Sequence, residues 1–511
     1  MAGCAATVAP GPEPRPVSSA DRLSPEAGPA EREAAAALDR IAALNPQVNA
    51  VIAVDPTALE QARFQDRIRR TRGPLFGRPV LIKDNIEARG PLPTTAGSMA
   101  LLDNVTDRDA PLVANLRNAG AVIVGKTNLS EWANIRASDS ISGWSAVGGQ
   151  TRNAYALDRN PCGSSSGSGA AVAAGMVDIA IGTETDGSIT CPAAVNGIVG
   201  MKPTVGLVSR THVVPISHSQ DTAGPMTRTV RDAALTLTAL AGSDPADEAT
   251  READRRRVDY AAGLTPDALR GKRIGVMRFA TGFGTDKAFE AALETLKAQG
   301  AVLVDIKEGP NRGEIGRNEF TVLLTELKQD LNAYLATTPP SVRTRTLADV
   351  IRFNNENAER ELGLFGQDTF VQAEQTKGYD AAYRRARATS LRLAGPEGID
   401  RMLRQNRVVA LVGPTMPAAW PIDVVHGDAY PGAGAGGLAA VAGYPHLTVP
   451  MGMTEGLPVG LSFIGPKWGD ALVLQLGYAF EQARGPLPAA QMLRSVEDDP
   501  RTRELLEPLR R

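Results

Sequence analysis

The sequence predicts an α/β fold: one large body of strands and helices, with a mostly helical excursion over 314–405. Three observations carry that expectation. "DAPLVANLRNAGAVIVGKTN" reads as a helix, a glycine stop and a buried strand. "KRIGVMRF", the run 286–299 and "AVLVDI" read as strand, helix and strand. Apolar strand-like runs then return late in the chain, in "VVALVGPTM", "HLTVPMGM" and "LPVGLSFIG".

Residues 1–29 are proline-rich and without periodicity, so they read as a flexible tail. Their Ala2-Gly3-Cys4 start looks like the end of a lipoprotein signal, but the apolar region that should precede it is absent. Localisation is therefore cytoplasmic on the sequence as given, and cell envelope or periplasm if that start is a truncated signal. "AEREAAAALDRIAALN" places Leu38, Ile41 and Leu44 on one helical face, and a second helix is expected over 57–70. "RPVLIKDNI" is a short apolar run, as a buried strand is, with Lys83 at its end. The glycine-serine region feeds a helix over 168–176, a strand over 178–182 and the loop "TETDGS". "PMTRTVRDAALTLTALAG" is an amphipathic helix, 244–271 a charged linker or excursion, and "DALVLQLGYAFEQA" a final core helix. Length alone suggests two to four domains, but one domain over 30–490 with a tail at 491–511 fits the pattern better.

The composition is that of a globular enzyme, with 43% apolar and 22% charged residues. A net charge of −2 argues against a nucleic-acid partner. No apolar run approaches a membrane span, and the stretch Gly169 to Gly175 reads as a buried helix. Cysteines stand at Cys4, Cys162 and Cys191, with no CxxC or HExxH pattern, so a metal site has little support. Cys162 and Cys191 read as two free, half-buried thiols rather than a disulfide.

"PCGSSSGSGAAVAAG" and "GTETDGSITCPAA" hold the candidate chemistry. A serine nucleophile needs a base, usually histidine, and the chain has only four histidines, none close to Ser188 in sequence. Taken literally, "GSSSG" is a nucleophile elbow on Ser165, served by His426 or His446, but "DRNPCG" before it is turn-like where a strand is required. A phosphate cradle fails both standard glycine spacings. A plain flexible Gly-Ser loop would leave Lys83 unexplained. A lysine becomes a base when burial disfavours its ammonium, and Lys83 follows Val80-Leu81-Ile82. A lone strand-end lysine more often snorkels to water.

The combination of "PVLIKDN", "GSSSGSGAAVAAG" and "GTETDGSI", followed by "NGIVGMKPT", resembles the amidase signature family from about residue 31 to about 485, with a signature core over 70–240. The resemblance implies an α/β/α sandwich around a large mixed twisted sheet and a cofactor-free Ser–cis-Ser–Lys hydrolase. It places the base on Lys83, the bridging serine on Ser164 after a cis Gly163–Ser164 bond, and the nucleophile on Ser188. Thr185, Asp186 and Gly187 fall in the loop that supplies oxyanion donors, which makes Gly187 intolerant of bulk. Ala133 and Asn134 align with a segment lining the pocket, and read without the resemblance as ordinary helix residues. Ser166 and Thr183 are expected to hydrogen-bond within the two loops, while His218 and Asp221 border the site, Asp221 in a structural role.

Many relatives read Gly-Gly-Ser where Asp186-Gly187-Ser188 stands, and an arginine where Thr190 stands, which weakens the case for a glutamine-using amidotransferase subunit. Within the family the sequence looks most like the peptide amidases, which deamidate peptide C-termini. Hydrolysis of fatty or aryl amides would use the same residues. A catalytically idle binding protein is disfavoured by the intact Lys83, Ser164 and Ser188. The expected partner is a small-molecule or short-peptide amide, with substrate preference and oligomeric state left open.

Overall fold

The computed structural model describes residues 23–68, 73–282, 284–429 and 434–508. The Ala2-Gly3-Cys4 start lies outside the described residues. Eleven strands form one sheet: β1 (Val51–Val54), β2 (Pro79–Lys83), β3 (Val122–Thr127), β4 (Ile179–Glu184), β5 (Val199–Lys202), β6 (Thr222–Thr227), β7 (Arg273–Met277), β8 (Val302–Ile306), β9 (Ala410–Pro414), β10 (His446–Thr454) and β11 (Leu457–Ile464). Their order across the sheet is β1-β3-β2-β4-β6-β5-β10-β11-β9-β7-β8. Pairing is parallel from β3 through β2 to β4, antiparallel from β4 across to β9, and parallel again out to β8. The sheet is therefore mixed, as expected.

Successive side chains of a strand face opposite ways. Val80 and Ile82 of β2 pack with Leu112, Leu116 and Leu237 on one face, whereas Leu81 packs with Ile41, Ala170 and Ile189 on the other. Helices α1 (Pro29–Val48) and α2 (Ser166–Ala173) cover the Leu81 face. Both faces are thus buried, which is why β2 and β4 open as apolar runs before they reach Lys83 and Thr183.

Helix α2 begins two residues before the expected start and sits hard against the sheet. A Cβ on Gly167 would lie 2.2 Å from the Ala50 carbonyl oxygen and 2.6 Å from that of Asn128, so only glycine admits this approach. Strand β4 outruns the expected 178–182 because its ladder with β6 continues to Glu184 opposite Thr222. The excursion is helical as expected, led by α3 (Arg312–Leu335), and packs its own apolar cluster of Leu327, Leu331 and Phe370 against Trp132 and Leu101. At the C-terminal end, the Met492 and Leu493 N–H groups donate to Ala154 and Tyr155 carbonyls, and Pro500–Leu506 is helical.

One expectation is overturned. Cys162 and Cys191 form a disulfide. They lie 29 residues apart in sequence, but the β4 crossover returns the chain so that their Cα atoms are 6.0 Å apart, within bonding range. Proximity of that kind has no signature in the spacing.

Candidate active site

Lys83 ends β2 on the face that α2 covers, so the pleat turns its side chain into the protein. It is 0% exposed. Its Nζ lies 2.7 Å from Ser164 Oγ and 2.8 Å from Thr183 Oγ1. Burial pushes the ammonium down from its ordinary 10.5 to about 7, against the opposing pull of the Asp221 and Glu184 carboxylates. Burial alone does not mark this lysine, because Lys126 and Lys202 are equally enclosed. Lys126 donates to the Ile86 carbonyl and Thr94 Oγ1 and lies 3.5 Å from Asp84, and Lys202 donates to the Pro203 carbonyl. Among the three, Lys83 is the one bonded to a serine hydroxyl.

The Gly163–Ser164 bond is cis. The Ser164 carbonyl accepts from Ser130 N–H, which anchors the loop before α2. Ser165, the elbow candidate, is fully buried and committed to β4: its Oγ donates to the Thr183 carbonyl at 3.0 Å and accepts from the Thr183 N–H. Its own N–H donates to the Ser188 carbonyl at 3.1 Å, tying the two serine loops together. His426 pairs with Asp423 and His446 with Ser462, so neither is presented to Ser165. Ser166 meets Ser130, and Thr183 Oγ1 is shared between Lys83 and Asn85.

Ser188 stands between β4 and the short helix Thr190–Val195, 8% exposed and lining a cavity of about 610 Å³. Glu184 Oε2 accepts from the N–H groups of Ile189 and Thr190 and from Thr190 Oγ1, supplying an acceptor and negative charge at that helix start. Gly187 has φ +81°, and a Cβ there would meet nothing within 4 Å. The position demands glycine for its backbone and not for lack of room, which corrects the steric expectation. Thr185 Oγ1 donates to Asp221 at 2.6 Å, and Asp221 also accepts from Ile216 and Ser217 N–H, so it braces the loop.

Ala133 and Asn134 line the same cavity, but not as ordinary helix residues: Trp132, Ala133 and Asn134 all have positive φ. Asn134 Nδ2 donates to Ser142 Oγ at 2.9 Å. Across the cavity, α3 contributes Arg312 and Glu319, which sequence reasoning missed. Burial pushes Glu319 up to about 7, and Gln220 Nε2 donates to it at 2.8 Å. Trp420 and Asp428, joined at 3.1 Å, complete another wall and were likewise missed. No motif announces these four, because they arrive from distant segments.

His218 turns to α3, where its Nδ1 lies 2.9 Å from Asp330, and the Asp330 hydrogen bond raises its pKa. With Glu326 these three place their ligand atoms within 4.8 Å of one another. Glu326 already accepts from Ser217, Ser219 and Tyr383, so its lone pairs are committed within the protein. Among the described residues, no helix is long and apolar enough to cross a membrane.

A family model described as Amidase matches residues 34–474 of this chain. The chain belongs to the amidase family. It is an amide-hydrolysing enzyme built on that family's fold. The native peptide amidase of Stenotrophomonas maltophilia is 51% identical, superposes with a TM-score of 0.86, and aligns over 93% of this chain and 96% of that one. A peptide amidase has also been solved in complex with the competitive inhibitor chymostatin, with 51% identity and a TM-score of 0.87 over 93% of this amidase and 97% of that chain. The A-type subunit of the glutamyl-tRNA(Gln) amidotransferase from Roseiflexus castenholzii is 37% identical over 88% of this chain and 91% of its own.

Proposed function

We propose that this amidase removes the C-terminal amide of peptides, giving a free acid and ammonia, with Ser188 as nucleophile, Ser164 as relay and Lys83 as base. The observation that carries this is a fully enclosed lysine, brought down to about 7, whose Nζ is 2.7 Å from Ser164 Oγ. A lysine in that state has a lone pair to offer near neutral pH.

Neutral Lys83 takes the Ser164 hydroxyl proton as Ser164 takes that of Ser188. Ser188 Oγ then bonds to the amide carbon, and the carbonyl oxygen becomes an oxyanion. The N–H groups of the turn through Thr185, Asp186 and Gly187 receive that charge. Collapse breaks the C–N bond, and ammonia leaves with the proton returned through Ser164. Water then attacks the acyl-Ser188 ester with the relay run in reverse, releasing the acid.

The peptide choice is supported by 51% identity to peptide amidase across nearly the whole chain, and by a cavity large enough for several residues. The test is ammonia release from an N-capped dipeptide amide, an aryl or fatty amide, and free glutamine, assayed side by side. Fast release from the dipeptide amide alone is the expected result. Release from the aryl or fatty amide instead would keep the chemistry and move the substrate, and release from glutamine alone would point to the amidotransferase reading.

A further inference from the structure

Two residues after Lys83, Asn85 is 2% exposed and donates from Nδ2 to Thr183 Oγ1 at 3.0 Å. The same hydroxyl oxygen accepts from Lys83 Nζ at 2.8 Å. A hydroxyl oxygen has two lone pairs and one proton. With both lone pairs occupied, the Thr183 proton cannot turn toward Lys83. The lysine therefore spends an N–H on Thr183 and keeps its own lone pair for Ser164.

The far end of the Asn85 amide explains why this orientation holds. Among the described residues, Asn85 Oδ1 is buried with no hydrogen-bond partner, and so is Trp132 Nε1. Both residues line one small cavity of about 10 Å³, the room of a single water. A water there would donate to Oδ1 and accept from the indole N–H, satisfying both and leaving the NH₂ end facing Thr183. With the amide reversed, its NH₂ end would turn toward the indole N–H, another donor, and its oxygen would accept the Thr183 proton rather than fill a Thr183 lone pair.

We propose that Asn85 is a positioning residue of the reaction: it holds Thr183 as a pure acceptor for Lys83, so that the lysine lone pair faces Ser164. The inference rests on the Ser188–Ser164–Lys83 assignment. Asp221 and Glu184 are the carboxylates that act on Lys83, and the neighbouring Asp84 is paired with Lys126.

The test compares kcat/KM against pH for the wild-type enzyme, Asn85→Asp, Asn85→Leu and Lys83→Met, with Ser188 labelling by a fluorophosphonate. Asn85→Asp is nearly isosteric but places a carboxylate within two hydrogen bonds of Lys83. An opposite charge at about 4–6 Å shifts a pKa by about 1–3 units, so its acidic limb is expected to rise by about one unit or more. Asn85→Leu frees the Thr183 proton to compete for the lysine lone pair. Its kcat is expected to fall about tenfold with KM unchanged, part of the roughly 10²–10⁴ that a positioned base supplies. If both Asn85 variants keep the wild-type profile while Lys83→Met is inactive, the role of Asn85 is overturned and the triad stands. If Lys83→Met remains active, the triad falls and this inference with it.

Discussion

Lys83→Met separates catalysis from folding. Methionine fills nearly the same buried volume and cannot carry a proton. A lysine lowered from 10.5 to about 7 is costly to fold at neutral pH, because the unfolded chain holds it charged in water. At about 1.4 kcal/mol per pKa unit the cost is on the order of 5 kcal/mol, and Met removes it. Against that, Ser164 Oγ and Thr183 Oγ1 each lose a buried partner, at about 1–3 kcal/mol apiece. The terms nearly cancel, so the variant is expected to fold with stability within about 3 kcal/mol of wild type while losing ammonia release at least about 10³-fold.

The pH dependence is the sharper signature. Between about pH 7 and 10 the unfolded lysine is protonated and the folded one is not, so the unfolded state binds the extra proton and wild-type stability rises with pH. The slope from this group is about 1.4 kcal/mol per pH unit, and the variant lacks it. Urea unfolding at pH 7, 8 and 9 on both proteins measures the difference directly. Parallel stability curves would show that Lys83 is charged in the folded protein, and would refute the account of its basicity.

Other outcomes follow from the same geometry. With a dipeptide amide, kcat/KM is expected to climb as pH rises through about 7, where Lys83 loses its proton; a profile flat from pH 5 to 9 contradicts this. Ser188→Ala should reduce turnover about 10⁴-fold or more and abolish fluorophosphonate labelling, as read by mass spectrometry of the adduct. Gly187→Ala should cost about 1–2 kcal/mol through its positive φ and lower kcat more than KM by displacing the turn's N–H groups, with no steric penalty. Replacing Cys162 and Cys191 together by alanine opens a 29-residue loop and should cost about 3–4 kcal/mol, measured as a lowered unfolding midpoint.

The α/β class and mixed sheet were legible because a strand buried on both faces is mostly apolar, as β2, β4 and β11 are. Lys83 stood out for the same reason, as a charge closing such a run. Local sequence also determined the two serine loops, since their glycines are needed where backbone turns or packs closely, at Gly167 and Gly187. What separates Lys83 from the equally buried Lys126 and Lys202 is its partner, a serine 81 positions away, and only the crossing of α2 over β2 decides that. Tertiary structure alone likewise joined Cys162 to Cys191, set Trp132 to Asn134 in the left-handed region, and brought Arg312 and Glu319 of the excursion to the cavity that Ser188 lines. The physical reason is common to all of these. A strand's pleat or a turn's φ is set by neighbours in sequence, whereas a hydrogen bond or a cavity wall depends on distances that exist only once the sheet has brought remote segments together.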